Sequence, residues 1–372
     1  MTAMSPDDQR APGSRDYQIA QLTAWAAELL AVAGAPGPVA ATVARHLVGA
    51  DAAGHRGHGL AMLPTYLDAI DAGELRPDAE PVLVEDRGAY VTADGRHGFG
   101  HHALSWTLSL VIEKARRYGL AGAHLVRCGH VGRLGGYVLD GAAESAAVLV
   151  TVGSLADDAD ALVAPDGGRE RLLGTNPIAF GCPGDPPFVL DMATSAMAYY
   201  DLALVAAAGG AVPAGVLADG AGDGSAPPDD PLAGAAMLPF GGHKGYGLSL
   251  LAGVLSGLAA NGPRDDSGVS GVFVLAIDQP RPTGPSRIDA ALARVRATEP
   301  VDPGRPVQVP GDRARARRAR AEEHGVSLPS DLVERIRDRL GRRDRVLPRL
   351  PGPLPEARPA GPAGQTAARR SR

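Results

Sequence analysis

Ala121-Gly122-Ala123-His124-Leu125-Val126-Arg127-Cys128-Gly129-His130-Val131-Gly132-Arg133-Leu134-Gly135-Gly136-Tyr137 is the stretch on which the fold turns. Its opening run, Ala121 to Val126, is apolar and of the length of a buried strand. The glycines around His130 then make a turn, and residues 133–145 return to a helical pattern. A strand that passes through a glycine-rich turn into a helix is the unit of an α/β protein, and ligands of such proteins gather at the C-terminal ends of strands.

The same alternation extends outward in both directions. Upstream, Leu104, Leu108, Val111, Ile112 and Ala115 mark a helix from about His102 to Tyr118, with Gly119 as its stop. Further back, Leu22, Trp25, Leu29 and Val32 give one helical face, and Val39, Val43, Leu47 and Val48 a second. Leu63 to Ala72 forms a third helix. Downstream, Ala147 to Val152 reads as a strand, Phe188 to Leu190 as a short strand delivering Asp191, Gly245 to Ala260 as a helix and Gly271 to Ile277 as a strand. Two late helices fall at about 285–297 and 328–341. Residues 1–16 and 350–372 have the composition of disordered tails, and 207–233 that of a surface excursion.

Composition narrows the function. The chain has 372 residues, enough for a large core. Its net charge of -5 and its 4% aromatic content argue against nucleic acid as a partner. No apolar run of membrane-spanning length is free of charges or Gly/Pro breaks, so no membrane partner is expected. Two cysteines, Cys128 and Cys182, make no disulfide framework and fit a reduced cytoplasm.

Four segments carry chemistry. Gly54-His55-Arg56-Gly57-His58-Gly59 sets histidines in a loop between helices, where an imidazole can exchange protons near neutral pH; a flexible turn is the plainer account. In Gly129 to Tyr137, His130 is expected at a helix N-terminus, which disfavours imidazolium and suits a neutral base. Leu173 to Pro177 and Leu190-Asp191-Met192-Ala193-Thr194-Ser195 offer a carboxylate and backbone donors to ribose and phosphate, with helix capping as the alternative. Gly241-Gly242-His243-Lys244-Gly245-Tyr246-Gly247 places a lysine among glycines at a helix start, a phosphate site without Walker A spacing. The loose G-x-G-x-x-A of Gly98 to Ala103 is set aside as a Rossmann fingerprint. Its strand, near 89–93, is interrupted by Asp94-Gly95-Arg96-His97, and no acidic strand end follows. His55, His58 and His130 lack H-E-x-x-H or paired cysteines, so no metal is expected.

In this order the segments resemble the type-2 malate/L-lactate dehydrogenase family, over most of residues 17–345. The matching stretches are Ala50 to Gly59, Leu63-Pro64-x-Tyr66, Ile112 to Arg116, Gly129-His130-x-Gly132-x-x-Gly135-x-Tyr137, Gly167 to Glu170, Gly174-Thr175-Asn176-Pro177, Leu190 to Ser195, Gly242 to Gly247, and a late Val309-Pro310-Gly311-Asp312. The resemblance implies a non-Rossmann α/β fold with a mixed sheet and surrounding helices. It implies a body over 17–349 whose cofactor-binding part spans roughly 120–270, and a homodimer. The implied activity is hydride transfer between NAD or NADP and a 2-hydroxy or 2-keto acid-like substrate. A cyclic-imine reductase and a non-catalytic dimeric binding protein are the alternatives. His130 and His58 match the proton-transfer histidines. Ser154, Asp191, Met192, Ala193, Lys244, Gly245, Pro310, Gly311 and Asp312 match cofactor contacts. Thr175, Asn176 and the position of Met62 fall to the substrate.

Four departures stand out. Gly57 replaces a usual serine and Met62 a usual arginine. Tyr200-Asp201 replaces a Gly-Lys pair, and Asp157, Asp158 and Asp160 replace a proline turn. A methionine in place of a carboxylate-pairing arginine implies a bulkier or less anionic substrate, unless Arg56 or Arg133 takes the charge.

Overall fold

The computed structural model describes residues 13–155, 161–207, 209–218, 232, 234–258, 271–279, 286–341 and 346–355. Asp157, Asp158, Asp160 and most of the 207–233 excursion lie outside them. A seven-stranded mixed sheet forms the centre. Its strands are β2 (Val82–Asp86), β3 (Tyr90–Gly98), β4 (Leu120–Cys128), β5 (Ala146–Gly153), β6 (Ile178–Cys182), β7 (Phe188–Met192) and β8 (Gly271–Asp278). They lie in the order β2-β3-β4-β8-β5-β6-β7, and only β3 and β4 run parallel.

That parallel pair is joined by helix α4 (Gly100–Tyr118), the crossover that two parallel strands require. α4 ends where Gly119, at φ 84°, donates its N–H to the Ala115 carbonyl. Helix α5 (Leu134–Ala143) lies on β5 and β6. A Cβ on Gly141 would meet Val148 Cγ2 at 2.3 Å, and one on Gly181 would meet the Val138 carbonyl oxygen at 2.7 Å, so both glycines are set by contact. The strands alternate. Ala121, Ala123 and Leu125 of β4 join Val148, Val150, Val272 and Val274 in a core with α4 and α5, while His124 turns to the opposite face. There it bonds the Leu255 carbonyl of α7 (His243–Gly257) at 2.6 Å.

A second core is helical. It combines α1 (Ile19–Val32), α2 (Gly37–Ala52), α3 (Leu63–Asp71) and α10 (Ser330–Gly341) around Trp25, Leu29, Val43, Leu47, Leu67 and Ile336. The remaining helices are α6 (Tyr199–Ala207), α8 (Arg287–Arg296) and α9 (Asp312–His324).

Several boundaries differ from the sequence expectations. Residues 15 and 16 are not tail. Strand β1 (Arg15–Tyr17) pairs antiparallel with β9 (Val326–Leu328), burying Tyr17, and Leu354 beyond the expected body donates to the Asp16 carbonyl at 2.7 Å. The strand expected to break at Asp94 continues to Gly98 through a register shift, with Arg96 and His97 at positive φ. The rejected glycine fingerprint does occupy a strand–turn–helix unit. Its space is filled by protein: a Cβ on Gly100 would lie 2.0 Å from the Gly129 carbonyl oxygen, so the turns of β3 and β4 press together where a pyrophosphate would need room.

Candidate active site

The C-terminal end of β4 delivers His130 in the turn before α5. Helix α5 itself starts only at Leu134, so the expected effect of a helix terminus on His130 is weak, since that field fades beyond the first turn. Burial takes its place. His130 keeps accessible surface although protein atoms crowd it, and that crowding holds its basicity well below the usual histidine range. The Tyr66 hydroxyl of α3 bonds His130 Nδ1 at 2.8 Å and leaves the other ring nitrogen, Nε2, outside that bond.

His58 stands on a single 3-10 turn, Arg56–His58, after α2. The loop is clamped by Asp51, whose carboxylate accepts the Leu60 N–H at 2.8 Å and lies where a Cβ on Gly59 would be. Burial raises that carboxyl to about 7. The clamp brings the His58 ring parallel to that of His130, with centroids 5.6 Å apart and 25° between planes. Burial lowers the His58 pKa, the charge of Asp191 opposes that shift, and Arg133 adds to it. Asp191 at the end of β7 accepts the Gly135 N–H at 2.8 Å, and Arg133 Nε lies 3.5 Å from its carboxylate. Asp191 therefore caps α5 from another strand, an alternative to the local capping expected from sequence.

The structure thus gathers His58, His130 and Asp191, and adds Tyr66, Tyr200 and Arg133. Sequence reading did not select Tyr66 for a role. Met62 goes elsewhere: it is 3% exposed and belongs to the helical core. Asn176, 2% exposed, spends its amide on Ser154 and Ser249, tying the end of β5 to α7. Thr175 accepts the Thr194 N–H at 2.9 Å through its carbonyl.

The other expected cofactor residues lie on several elements. Lys244 is exposed in the first turn of α7, beside Gly242 at φ 61° and buried Gly245. Ser154 Oγ is buried without a partner, and a Cβ on Gly174 would sit 2.8 Å from it. A cradle kept open by glycine, an orphaned hydroxyl and a cation at a helix N-terminus suit the phosphates and ribose of a dinucleotide. Met192 and Ala193, both half-buried, continue from Asp191 out of β7. In the late turn, Gly311 packs on Val189 of β7, and Asp312 is already engaged by Arg296 at 2.8 and 2.9 Å and by the Val309 N–H. Pro310 is exposed.

Two of the departures are one structural event. A Cβ on Gly57 would lie 2.3 Å from Tyr200 Cβ, and the Tyr200 ring stands edge-on to His58, with centroids 5.7 Å apart. Tyr200 occupies the volume a side chain at 57 would need. Gly57→Ser is therefore expected to displace α6 and to lose about 1–3 kcal/mol, the usual cost of overpacking. Tyr200→Gly in the same background should recover most of it. Denaturant midpoints of the two single variants and the double variant measure the coupling; additive losses would separate the two positions.

Comparison with known proteins gives a consistent answer. Residues 17–337 match the family model described as malate/L-lactate dehydrogenase. An L-lactate dehydrogenase from Cupriavidus necator is 35% identical over 316 residues, covering 80% of this chain and 89% of its own. A Delta(1)-pyrroline-2-carboxylate/Delta(1)-piperideine-2-carboxylate reductase from Pseudomonas syringae pv. tomato is 32% identical over 326 residues, covering 84% and 93%. The crystal structure of a dehydrogenase from Sinorhizobium meliloti superposes with a TM-score of 0.77 at 31% identity, over 91% of this chain and 100% of that one.

Proposed function

The chain belongs to the malate/L-lactate dehydrogenase family, and from that premise we propose hydride transfer between NAD or NADP and a 2-hydroxy or 2-keto acid, with His130 as proton donor and acceptor. The enzyme is an oxidoreductase. The observation that carries the mechanism is the His58–His130 pair, with Tyr66 on Nδ1 of His130 and the Arg133–Asp191 pair beside it.

Tyr66 fixes the ring so that Nε2 of His130 meets the substrate oxygen. His58 stands beside that ring and stabilises charge on that oxygen. Arg133 presents a planar fork to the substrate carboxylate, the task for which Met62 has no means. Ser154, Lys244, Gly245, Met192, Ala193 and the turn Pro310 to Asp312 would hold the dinucleotide, and Asp191 orients α5 towards it. Thr175 through its carbonyl and Asn176 through its side-chain amide brace the turns around Ser154 and Thr194. Bound there, nicotinamide supplies or takes the hydride at the carbon next to the carboxylate. Fluorescence titration with NADH and NADPH tests this. Micromolar binding of one is expected, and binding of neither would overturn the reading.

A second reading, reduction of a cyclic imine, is favoured by the lowered basicity of His58 and His130, since a protonated imine brings its own proton. Turnover of a keto-acid panel against a cyclic-imine panel decides between them. A homodimer in the cytoplasm completes the proposal. Leu251 and Val254 of α7 and Leu258 just past its end expose an apolar stripe that a second copy would cover, and both cysteines are free thiols. No described helix is long and apolar enough to cross a membrane.

A further inference from the structure

A cleft of about 1060 Å³ lies between α2 and α5, bordered by the turn from β6 to β7 and by α9. That is the size of a small-molecule site. His58 and His130 do not line it, and no step of the hydride transfer proposed above takes place in it. Part of its wall is apolar, with Ile19 of α1, Leu139 of α5 and Pro187 of the turn. Another part is basic, with Arg45, Arg133 and Arg318.

The acids on the wall are engaged already or face water. Asp140 accepts from Arg45 at 2.9 and 3.3 Å. Asp289 closes the capping box of α8 with Ser286 and also accepts the Asp185 N–H at 3.3 Å. Asp185 is exposed. Two of the arginines keep charge to spare. Arg318 meets Glu322 at 3.1 Å in a solvent-exposed i,i+4 pair, which is worth little. The Arg133 side chain is 12% exposed, and its Nε is buried with no hydrogen-bond partner among the described residues. Burial lowers its basicity, Asp191 opposes that shift, and the charge of Arg318 adds to it. Two like charges thus converge on one cleft while a buried guanidinium donor stays unmet, and an anion relieves both. His46 adds a neutral donor. Burial, with Arg45 and Arg133, pushes its pKa down to about 3. Its Nε2 lies 3.2 Å from the Arg45 guanidinium, which can only donate, so the ring proton sits on Nδ1. A Cβ on Gly136, in the cleft wall, would lie 3.3 Å from that Nδ1, and glycine leaves its approach open.

We propose that this cleft is a second binding site, for an organic anion whose oxyanion head, carboxylate or phosphate, meets Arg133, Arg318 and His46 while an apolar body lies along Ile19, Leu139 and Pro187. Arg133 links the cleft to the active site. The function proposed above assigns the same guanidinium to the substrate carboxylate, and this link rests on that reading. An occupied cleft draws Arg133 towards its own anion and weakens the hold on the substrate. By linkage the substrate weakens the cleft ligand by the same factor. The cleft ligand is therefore a regulator that raises KM and leaves kcat unchanged.

Calorimetric titration of the full chain, without dinucleotide or keto acid, tests the site with phenyl phosphate, phenylacetate and benzyl alcohol at fixed ionic strength. At least one of the two anions should bind, one per chain, with a dissociation constant below about 1 mM, and the alcohol should not. The tighter anion tells a phosphate head from a carboxylate head. Arg318→Gln, on the exposed side of α9, should weaken that binding about tenfold or more, the loss of a charge-assisted bond. A crystal structure with the tighter probe should show its head between Arg133 and Arg318. Binding of neither anion, equal binding to the variant, or a head seated beside His58 and His130 instead would overturn the site. In steady-state assays of the wild type, the tighter probe should raise KM for a keto acid about fivefold or more at unchanged kcat, and Arg318→Gln should blunt that rise. An unchanged KM would overturn the link to Arg133. Failure of the parent reading shows separately, as absence of dinucleotide binding to the wild type, and leaves the calorimetric result intact.

Discussion

Replacing His130 by asparagine is expected to lower turnover about a hundred- to ten-thousand-fold while cofactor affinity stays nearly constant. Asparagine can still meet the Tyr66 hydroxyl, so the turn before α5 should hold its shape. What is lost is a group that can gain and lose a proton at the substrate oxygen. The residues proposed to hold the dinucleotide, Ser154 and Lys244 among them, stand at the start of α7 and the end of β5, and His130 is bonded to neither. His58 is the competing acid, 5.6 Å away between ring centroids, and its proximity to Asp191 favours its charged form. His58→Asn should therefore also reduce turnover, by less if His130 is the donor. Stopped-flow single turnovers at saturating cofactor separate chemistry from binding. A wild-type rate for the chemical step in the His130 variant would remove this residue from the mechanism.

The parts of the fold that were legible share a cause. β4, α4 and α5 carry strong apolar periodicity because each buries one face in the sheet core, and the turn through His130 is punctuated by glycines that close packing requires. α9 was missed because Asp312 to His324 is charged nearly all round and buries only Ala321, so it has no apolar period to find. β2 was missed for a related reason: at the edge of the sheet all five of its residues are exposed. In the site, spacing along the chain could mark His58 and His130 but not their stacking, which depends on the Asp51 clamp closing the loop between α2 and α3. The placement of Met62 had no local signal either. A methionine two residues before a proline reads the same whether it faces a cavity or a core, and only the packing of α1, α3 and α10 decides.

That packing changes what the loss of an arginine at position 62 means. Arg133→Met is expected to lower kcat/KM for small keto acids such as pyruvate and oxaloacetate by about 30- to several-thousand-fold, the range for truncating one partner of a buried, hydrogen-bonded charge pair at about 2–5 kcal/mol. Arg133 is largely buried, Asp191 faces it, and at 3.5 Å its Nε makes no hydrogen bond among the described residues. A guanidinium in that state has donors to spare, and a second carboxylate beside His58 and His130 would use them in the two-pronged geometry that methionine cannot offer. The expectation from Met62 alone points the other way. It makes small keto acids poor substrates of the wild type, with masked carboxylates preferred and Arg133 of no consequence. Three measurements distinguish the two. Wild type should turn over pyruvate or oxaloacetate efficiently, Arg133→Lys should keep part of that activity through charge without the fork, and Arg133→Met should lose it while turnover of the corresponding amide changes little. Circular dichroism and the denaturant midpoint guard against the trivial outcome, since Asp191 loses its counter-charge but keeps the Gly135 N–H. Equal loss on the acid and its amide would reduce Arg133 to a support for Asp191, and poor wild-type turnover of both keto acids would return the substrate to the less anionic class that Met62 suggests.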